Sequence, residues 1–106
     1  MHTIMLKHIH PKTQGEFFER IFWKDNKKKP SMAPEAMKIY QMIKDGSFNK
    51  KTREYIMGQL GISFGQYYYV LSMLKALGLV RKEYGEYKTS KDFVKRLERL
   101  IEFAET

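Results

Sequence analysis

The fold is decided by one stretch, residues 52–80, which reads TREYIMGQLGISFGQYYYVLSMLKALGLV. It predicts a helix, a tight turn at Gly61-Ile62-Ser63, and a second helix that ends at Gly78 and leads into a strand. Ser63 is a favourable N-cap, and Gln66 three positions later completes a capping box. The second helix has apolar residues at spacings of three and four, which is typical of one buried face. This stripe consists of Tyr67, Val70, Leu71, Leu74 and Leu77.

Two helices are predicted upstream of the turn. Pro34 suits the first turn of a helix, and Asp45-Gly46 marks its end. Asn49 is the predicted N-cap of the next helix, in which Ile56 and Leu60 form the inward face. The helix that Asn49 is predicted to cap ends at Gly61, so it is the first of the two helices in residues 52–80.

Downstream of Gly78 the apolar period changes from helical to alternating. Residues 79–83 and 86–89 predict two short strands, joined by a tight turn at Tyr84-Gly85 in which glycine supplies the positive φ. Thr89 or Ser90 then caps a last helix that runs to about Ala104. Its apolar stripe is wider than a coiled-coil seam needs. The stripe consists of Phe93, Val94, Leu97, Leu100, Ile101 and Ala104.

The N-terminal third is harder to interpret. Residues 1–12 are either a short strand or an ordered arm. Thr13 and Glu16 form a second capping box, which opens a short helix crowded with large apolar residues between Phe17 and Trp23. The apolar side chains of that helix must be buried, either in the core of their own domain or against a second subunit. Residues 24–31 are a basic break, interpreted as a solvated linker or as an arm that touches phosphates.

Composition sets the class of protein. The 106 residues suit one domain with a modest core, and the formal net charge is +8. Residues 1–33 carry seven lysines and arginines against three acids, residues 34–62 five against three, residues 63–90 four against two, and residues 91–106 four against four. The basic excess therefore precedes the last helix. A basic domain of this size favours a polyanionic partner.

Several other classes are disfavoured. The absence of cysteine excludes disulfides and thiol chemistry. His8 and His10, with His2 nearby, lack a third ligand, so no metal and no cofactor are expected. There is no recognisable catalytic motif, and an enzyme is not expected. No apolar run approaches the roughly 20 residues of a membrane span. We expect no membrane association and a cytoplasmic location, on the nucleoid, or in the host cytoplasm if the protein is viral.

The order helix, helix, turn, helix and hairpin over residues 34–90 resembles the winged helix-turn-helix family of DNA-binding proteins. The likeness is carried by Leu60-Gly61-Ile62-Ser63 at the turn, Leu71 and Leu74 in the second helix, and Gly78-Leu79-Val80-Arg81-Lys82 leading into the wing, with Gly85 at the wing tip. The resemblance implies a mainly α fold, with a three-helix core, a two-stranded β-hairpin wing, and extra N- and C-terminal helices. The layout is also similar to small dimeric regulators of archaea and archaeal viruses.

This resemblance divides the chain into three parts. Residues 1–33 form an N-terminal arm and short aromatic helix, residues 34–90 the DNA-binding domain, and residues 91–106 a C-terminal amphipathic helix for dimerisation. Two positions depart from the family pattern. Met57 replaces a small residue, so either Gly58 makes room for the crossing helix or the crossing is wider or rotated. Tyr67 replaces a small aliphatic, and its hydroxyl needs a partner if it is buried.

The resemblance implies a sequence-specific double-stranded DNA-binding transcriptional regulator. Helix 63–77 would enter the major groove, and wing 79–90 would lie on the backbone or in the minor groove. Because the helix lacks arginine on its outer face, we expect A·T-leaning or shape-based recognition. The expected base contacts are Gly65, Gln66, Tyr68, Tyr69 and Ser72. The expected phosphate and wing contacts are Lys50, Lys51, Arg53, Lys75, Arg81, Lys82 and Lys88.

A homodimer is predicted, which would set two recognition helices about 34 Å apart. Its interface would draw on both apolar segments, through Phe17, Phe18, Phe22, Trp23, Phe93, Leu97, Leu100 and Ile101. Two alternatives remain open. One is a winged-helix protein–protein interaction module in which Tyr68 and Tyr69 are anchors. The other is a replication or plasmid-maintenance protein that binds DNA in the same way.

Overall fold

The computed structural model describes residues 13–21 and 32–105. The elements, in chain order, are α1 (Gln14–Ile21), α2 (Ala33–Asp45), a 3₁₀ helix (Phe48–Lys50), α3 (Arg53–Leu60), α4 (Phe64–Leu77), β1 (Val80–Glu83), β2 (Glu86–Thr89) and α5 (Asp92–Glu105). The protein is thus mainly helical, with an antiparallel two-stranded hairpin after the helices. This architecture is compatible with a winged helix. The predictions for residues 1–12 and 24–31 lie outside the described residues.

One core lies where the first four helices and the hairpin meet. The predicted stripe of α4 is buried at Tyr67, Val70, Leu71 and Leu74, while Leu77 is half-buried. It packs with Ile39 and Ile43 of α2, with Ile56 of α3, and with Leu79 and Val80 leading into the hairpin. Burial of these side chains supplies the main driving force for folding. None of the helices in the described residues is long and apolar enough to cross a membrane.

The helix ends follow the local signals in the sequence closely. The Ser63 hydroxyl accepts the Gln66 N–H at 3.2 Å, and the Gln66 amide oxygen accepts the Ser63 N–H at 2.9 Å, so the predicted capping box is confirmed. The Thr13 hydroxyl likewise accepts the Glu16 N–H at 3.1 Å. Gly46, Gly61 and Gly78 all end helices in the left-handed conformation.

The predicted N-cap at Asn49 is wrong. Thr52 caps α3, since its hydroxyl accepts the Tyr55 N–H at 3.2 Å. Asn49 instead lies in the 3₁₀ helix, where its side chain reaches the hairpin. Its Nδ2 donates to the Tyr87 carbonyl and its Oδ1 accepts the Tyr87 N–H, both at 2.9 Å. The partner is 38 residues away in sequence, so no local pattern could reveal this role.

The hairpin has the predicted two-residue turn. Tyr84 and Gly85 both have positive φ, 52° and 81°, as a type I′ turn requires. The ladder runs from Glu83 opposite Glu86 to Val80 opposite Thr89. A tyrosine is unusual in the left-handed region, and Tyr84 is the most exposed large apolar side chain of the described residues, at 98%.

The N-terminal aromatic helix is covered by its own chain. Phe18 is only 1% exposed and belongs to the core, so the prediction that it lies at a dimer interface is wrong. Phe17 is half-buried and makes edge-to-face contacts with Phe18 and with Phe93 of α5, at ring-centroid distances of 5.5 and 5.7 Å. Phe22 and Trp23 lie outside the described residues.

Gly58 does not make room for a crossing helix, so that alternative is also wrong. A Cβ atom at Gly58 would have no heavy atom within 4 Å other than its chain neighbours and its own helix backbone. Gly58 is exposed on α3, whereas Ile56 of the same helix is buried in the core. A glycine here lowers the stability of the helix by about 1 kcal/mol relative to alanine, with no packing gain.

Close packing occurs instead at Gly78, where α5 begins against the end of α4. The Gly78 carbonyl accepts the Phe93 N–H at 3.0 Å, and Arg96 Nη1 donates to the Ala76 carbonyl at 2.7 Å. A Cβ atom at Gly78 would lie 2.9 Å from Phe93 N and 3.0 Å from Asp92 Cβ. Gly78 therefore serves both the left-handed turn and the approach of α5.

We predict that Gly78→Ala destabilises the protein much more than Gly46→Ala. Both residues end a helix with φ near +83° or +84°, so both variants incur the left-handed penalty of roughly 1–2 kcal/mol. Only Gly78→Ala adds a clash with backbone, which typically costs a further ~1–3 kcal/mol. Urea unfolding of both variants measures the difference in free energy. Equal losses would show that α5 does not need the close approach at Gly78.

Candidate nucleic-acid interface

The residues predicted to contact bases do not all lie on one exposed surface. Gly65, Gln66 and Tyr68 are exposed at the start of α4, together with Phe64. We call these four residues the α4 face. Tyr69 is half-buried and packs against the core, and Ser72 is also half-buried. The exposed residues therefore cluster in the first two turns of the helix, which is the end that enters the groove in helix-turn-helix complexes.

The capping contact of Gln66 would compete with its predicted contact with adenine. Its amide oxygen accepts the Ser63 N–H in the capping box, which satisfies an N-terminal donor of α4. A bidentate contact with adenine needs that same oxygen, together with the amide NH₂ group. In the free protein the oxygen is thus already engaged, while the NH₂ group extends from an exposed residue.

Phe64, the first residue of α4, is not among the contact residues predicted from the sequence. Its ring is 53% exposed and stacks on Tyr68, which is 64% exposed, with 6.3 Å between centroids and 26° between planes. The guanidinium carbon of Arg53 lies 4.8 Å from the centroid of the Phe64 ring. We call Arg53, Phe64 and Tyr68 the aromatic stack. The i,i+4 spacing of Phe64 and Tyr68, outside the buried stripe, was the available signal.

The start of α3 carries a local cluster of positive charge. Lys50, Lys51 and Arg53 are all exposed, as predicted. The Lys51 amine lies 4.7 Å from the centroid of the Tyr55 ring. Arg53 pairs with Glu54 at 3.2 Å. A backbone hydrogen bond and this arginine lower the pKa of the Glu54 carboxyl group. The carboxylate therefore offsets part of the Arg53 charge, and the two lysines carry the net excess.

The hairpin is electrostatically more balanced than its lysines suggest. Side chains alternate along a strand, so Arg81 and Glu83 of β1 share one face with Glu86 and Lys88 of β2. Arg81 pairs with Glu83 at 2.9 Å and Lys88 with Glu86 at 3.7 Å. Two positive and two negative groups leave this face with no formal net charge. Phosphate binding by Arg81 or Lys88 would compete with these carboxylates.

Lys82 lies on the other face of the hairpin, with its amine 5.5 Å from the centroid of the Tyr87 ring. Lys75 is exposed near the end of α4. No ion pair is formed by Lys50, Lys51, Lys75 or Lys82 within residues 13–21 and 32–105. Of the predicted phosphate contacts, these four lysines are the ones without a carboxylate partner in the part of the chain that the structure describes.

The hairpin is held beside α4 by the 3₁₀ helix. The Phe48 ring is buried between Tyr67 of α4, stacked at 6.3 Å and 12°, and Tyr87 of β2, which meets it edge-on at 5.4 Å. Burial raises the pKa of the Tyr67 phenol, which therefore stays neutral at ordinary pH. Phe48 and Asn49 thus connect the two elements predicted to contact DNA.

The last helix has a different surface. No residue of α5 is fully buried, and Phe93 and Leu97 are half-buried. Leu100 and Ile101 are 50% and 56% exposed, and Val94 is exposed beside them. These five residues form the apolar face of α5. No group of three or more His, Asp or Glu residues suited to a metal ion occurs in the described parts of the chain, and the three histidines lie outside them.

The described residues thus form a mainly helical domain with an antiparallel hairpin and an exposed basic and aromatic surface. The chain belongs to an archaeal protein family, whose model matches residues 12–106. The archaeal part of the resemblance to regulators of archaea and archaeal viruses is thereby confirmed, while the regulator, the winged helix and DNA binding stay predictions. No curated protein matches the chain. No solved structure matches it either.

We predict that Asn49→Asp weakens the attachment of the hairpin. The carboxylate still accepts the Tyr87 N–H, but it cannot donate to the Tyr87 carbonyl and repels it. The loss of one exposed hydrogen bond costs about 0.5–1.5 kcal/mol. Urea unfolding and hydrogen exchange at the Tyr87 amide measure the effect. Lys50→Ala, next to it in the 3₁₀ helix, should change stability by less than about 0.5 kcal/mol. Equal effects would contradict a specific role for Asn49.

Proposed function

We propose that the protein is a sequence-specific double-stranded DNA-binding transcriptional regulator of the winged helix-turn-helix type. In this proposal α4 lies in the major groove, the lysines at the start of α3 contact phosphates, and the hairpin lies on the adjoining backbone or minor groove. The observation that carries the proposal is the position of the α4 face. The Arg53–Phe64 contact sets its capped, exposed first turns directly beside the basic start of α3.

The charge distribution supports the same orientation. Lys50 and Lys51 have no carboxylate partner among the described residues, whereas the outer face of the hairpin has no formal net charge. Most of the salt-dependent affinity should therefore come from the start of α3 and from Lys75 and Lys82. The hairpin would act mainly through shape, since its position relative to α4 is set by Phe48 and Asn49.

We predict that the double variant Lys50→Ala, Lys51→Ala weakens binding to all duplexes alike. The slope of log affinity against log salt is negative, and each lost phosphate contact makes it shallower by about 0.9. The double variant should therefore make the slope shallower by about 1.8. Fluorescence anisotropy with a labelled duplex at several salt concentrations measures the slope. The matched control is Lys91→Ala, Lys95→Ala in the same chain, which removes the same charge near α5. Equal slopes for the two double variants would place the DNA elsewhere.

Gln66→Glu separates the two roles of Gln66. A glutamate preserves the capping box, because its carboxylate still accepts the Ser63 N–H. It removes the NH₂ donor that adenine N7 requires, and a carboxylate instead favours cytosine. We predict that selection from a random duplex pool loses adenine at one position per half-site and retains normal thermal stability. An unchanged preference would remove Gln66 from the recognition surface.

The protein is further proposed to act as a homodimer through the apolar face of α5. Half-exposed leucine and isoleucine side chains in a segment without net charge, residues 91–106, favour self-association more than contact with DNA. The amphipathic α5 extends from Gly78, where its first turn is anchored. The partner helix would cover Leu100 and Ile101, and the two-fold axis would pair the two α4 helices.

We predict that Ile101→Lys converts a dimer of about 25 kDa, twice the 12.7 kDa chain mass, to a monomer. A lysine in an apolar interface leaves a buried charge unpaired. Light scattering coupled to size-exclusion chromatography measures the mass. Glu98→Lys is the control, because it introduces a lysine at an exposed position of the same helix outside the apolar face. A wild-type mass of 12.7 kDa would refute the dimer.

A further inference from the structure

The aromatic stack is not well suited to reading a closed duplex. Grooves of duplex DNA present the edges of bases, because each base face is covered by its neighbours in the helix. Phe64 has no polar group to meet an edge, and its exposed ring surface is flat and apolar. A single exposed aromatic needs no explanation, but two rings stacked at 26° with a guanidinium over one of them form an ordered surface.

Flat aromatic surfaces beside cations are what unpaired nucleobases require. A base released from pairing exposes its π face, which stacks on Phe, Tyr or an arginine plane, while its phosphates need lysine or arginine nearby. Here the rings of Phe64 and Tyr68 are about half or more exposed. Arg53 borders the stack, and Lys50 and Lys51 precede it by two or three residues. A second cation–ring pair, Lys51 with Tyr55, lies at the same end of α3.

We infer that the aromatic stack is a binding site for single-stranded DNA, in which unpaired bases stack on Phe64 and Tyr68 while Lys50 and Lys51 contact the phosphates. The site goes beyond duplex recognition, because it needs bases that no duplex exposes. Its assignment to DNA rather than RNA rests on the proposed function, since the α4 face is the surface proposed to meet DNA. The same lysines would contact phosphates in duplex binding and in single-strand binding. Stacking of bases on the ring faces occurs only in single-strand binding.

Phe64→Leu tests this site, because leucine keeps an apolar side chain at this position but removes the flat ring face on which a base stacks. Loss of one stacked base costs about fivefold or more in affinity. We expect Phe64→Leu to weaken binding to oligothymidylate by that factor at every salt concentration, with no change in salt slope, and to weaken duplex binding by a smaller factor, because a duplex offers no base face to the ring. Adding Tyr68→Leu should weaken single-strand binding further. Phe103→Leu, which makes the same change at an exposed ring of α5, is the matched control and should bind as wild type.

A direct signal comes from wild type itself. An oligothymidylate containing one 2-aminopurine should lose fluorescence on binding wild type, because the reporter base stacks on a ring, and should lose less on binding Phe64→Leu. The signal from wild type does not depend on the folding of any variant. Circular dichroism of each variant shows whether its helices are intact, so that loss of binding can be separated from loss of structure. Absence of single-strand binding, or equal affinity of Phe64→Leu and Phe103→Leu, overturns the inference.

Separate arms distinguish failure of this site from failure of the proposed function. Duplex binding without single-strand binding overturns the stacking site and leaves the regulator proposal intact. Single-strand binding that depends on Phe64, without duplex binding, supports the stacking site and overturns the regulator proposal. An oligouridylate RNA of the same length should bind more weakly than the DNA strand, and equal or tighter RNA binding overturns the assignment to DNA.

Discussion

The attachment of the hairpin to the 3₁₀ helix is the constraint on which the arrangement of the binding surface depends. Tyr87 is the second of the four residues of β2, and its N–H and C=O point away from β1 because hydrogen-bonded and non-bonded residues alternate in an antiparallel pair. Asn49 satisfies both groups, so one side chain substitutes for a third strand. The neighbouring Phe48 ring fills the space between Tyr67 and Tyr87. Two adjacent residues thus set the hairpin against α4.

This constraint explains why polar and apolar groups are distributed as they are. The hairpin turns Tyr87 toward the core, so its opposite face carries Arg81, Glu83, Glu86 and Lys88 in two ion pairs. Those pairs reduce repulsion between the like charges that the register sets opposite one another. Among the described residues, Lys50 and Lys51 at the start of α3 have no carboxylate partner, and Arg53 next to them contacts the exposed ring of Phe64. Positively charged side chains and a flat aromatic surface therefore occur together where α3 and α4 begin.

Features that depend on residues within about four positions of each other could be predicted from the sequence. The Ser63–Gln66 box, the glycine helix ends and the Tyr84-Gly85 turn are of this kind, because their geometry is local. Contacts across the chain could not be predicted: Asn49 with Tyr87, Arg96 with Ala76, and Phe17 with Phe93. Phe18 was misassigned because apolar periodicity shows that a face is buried but not whether its own chain buries it. Phe64 was missed because exposure of a single residue at a helix start depends on packing nearby.

The most direct test of the central claim, that the α4 face and the start of α3 form one DNA-binding surface, is amide chemical-shift mapping during titration with a duplex selected by the protein from a random pool. The account predicts shifts concentrated in residues 50–55, 64–68 and 81–88, with the polar side of α5 unaffected. Shifts confined to α5, or failure to select any duplex at low salt, would contradict it.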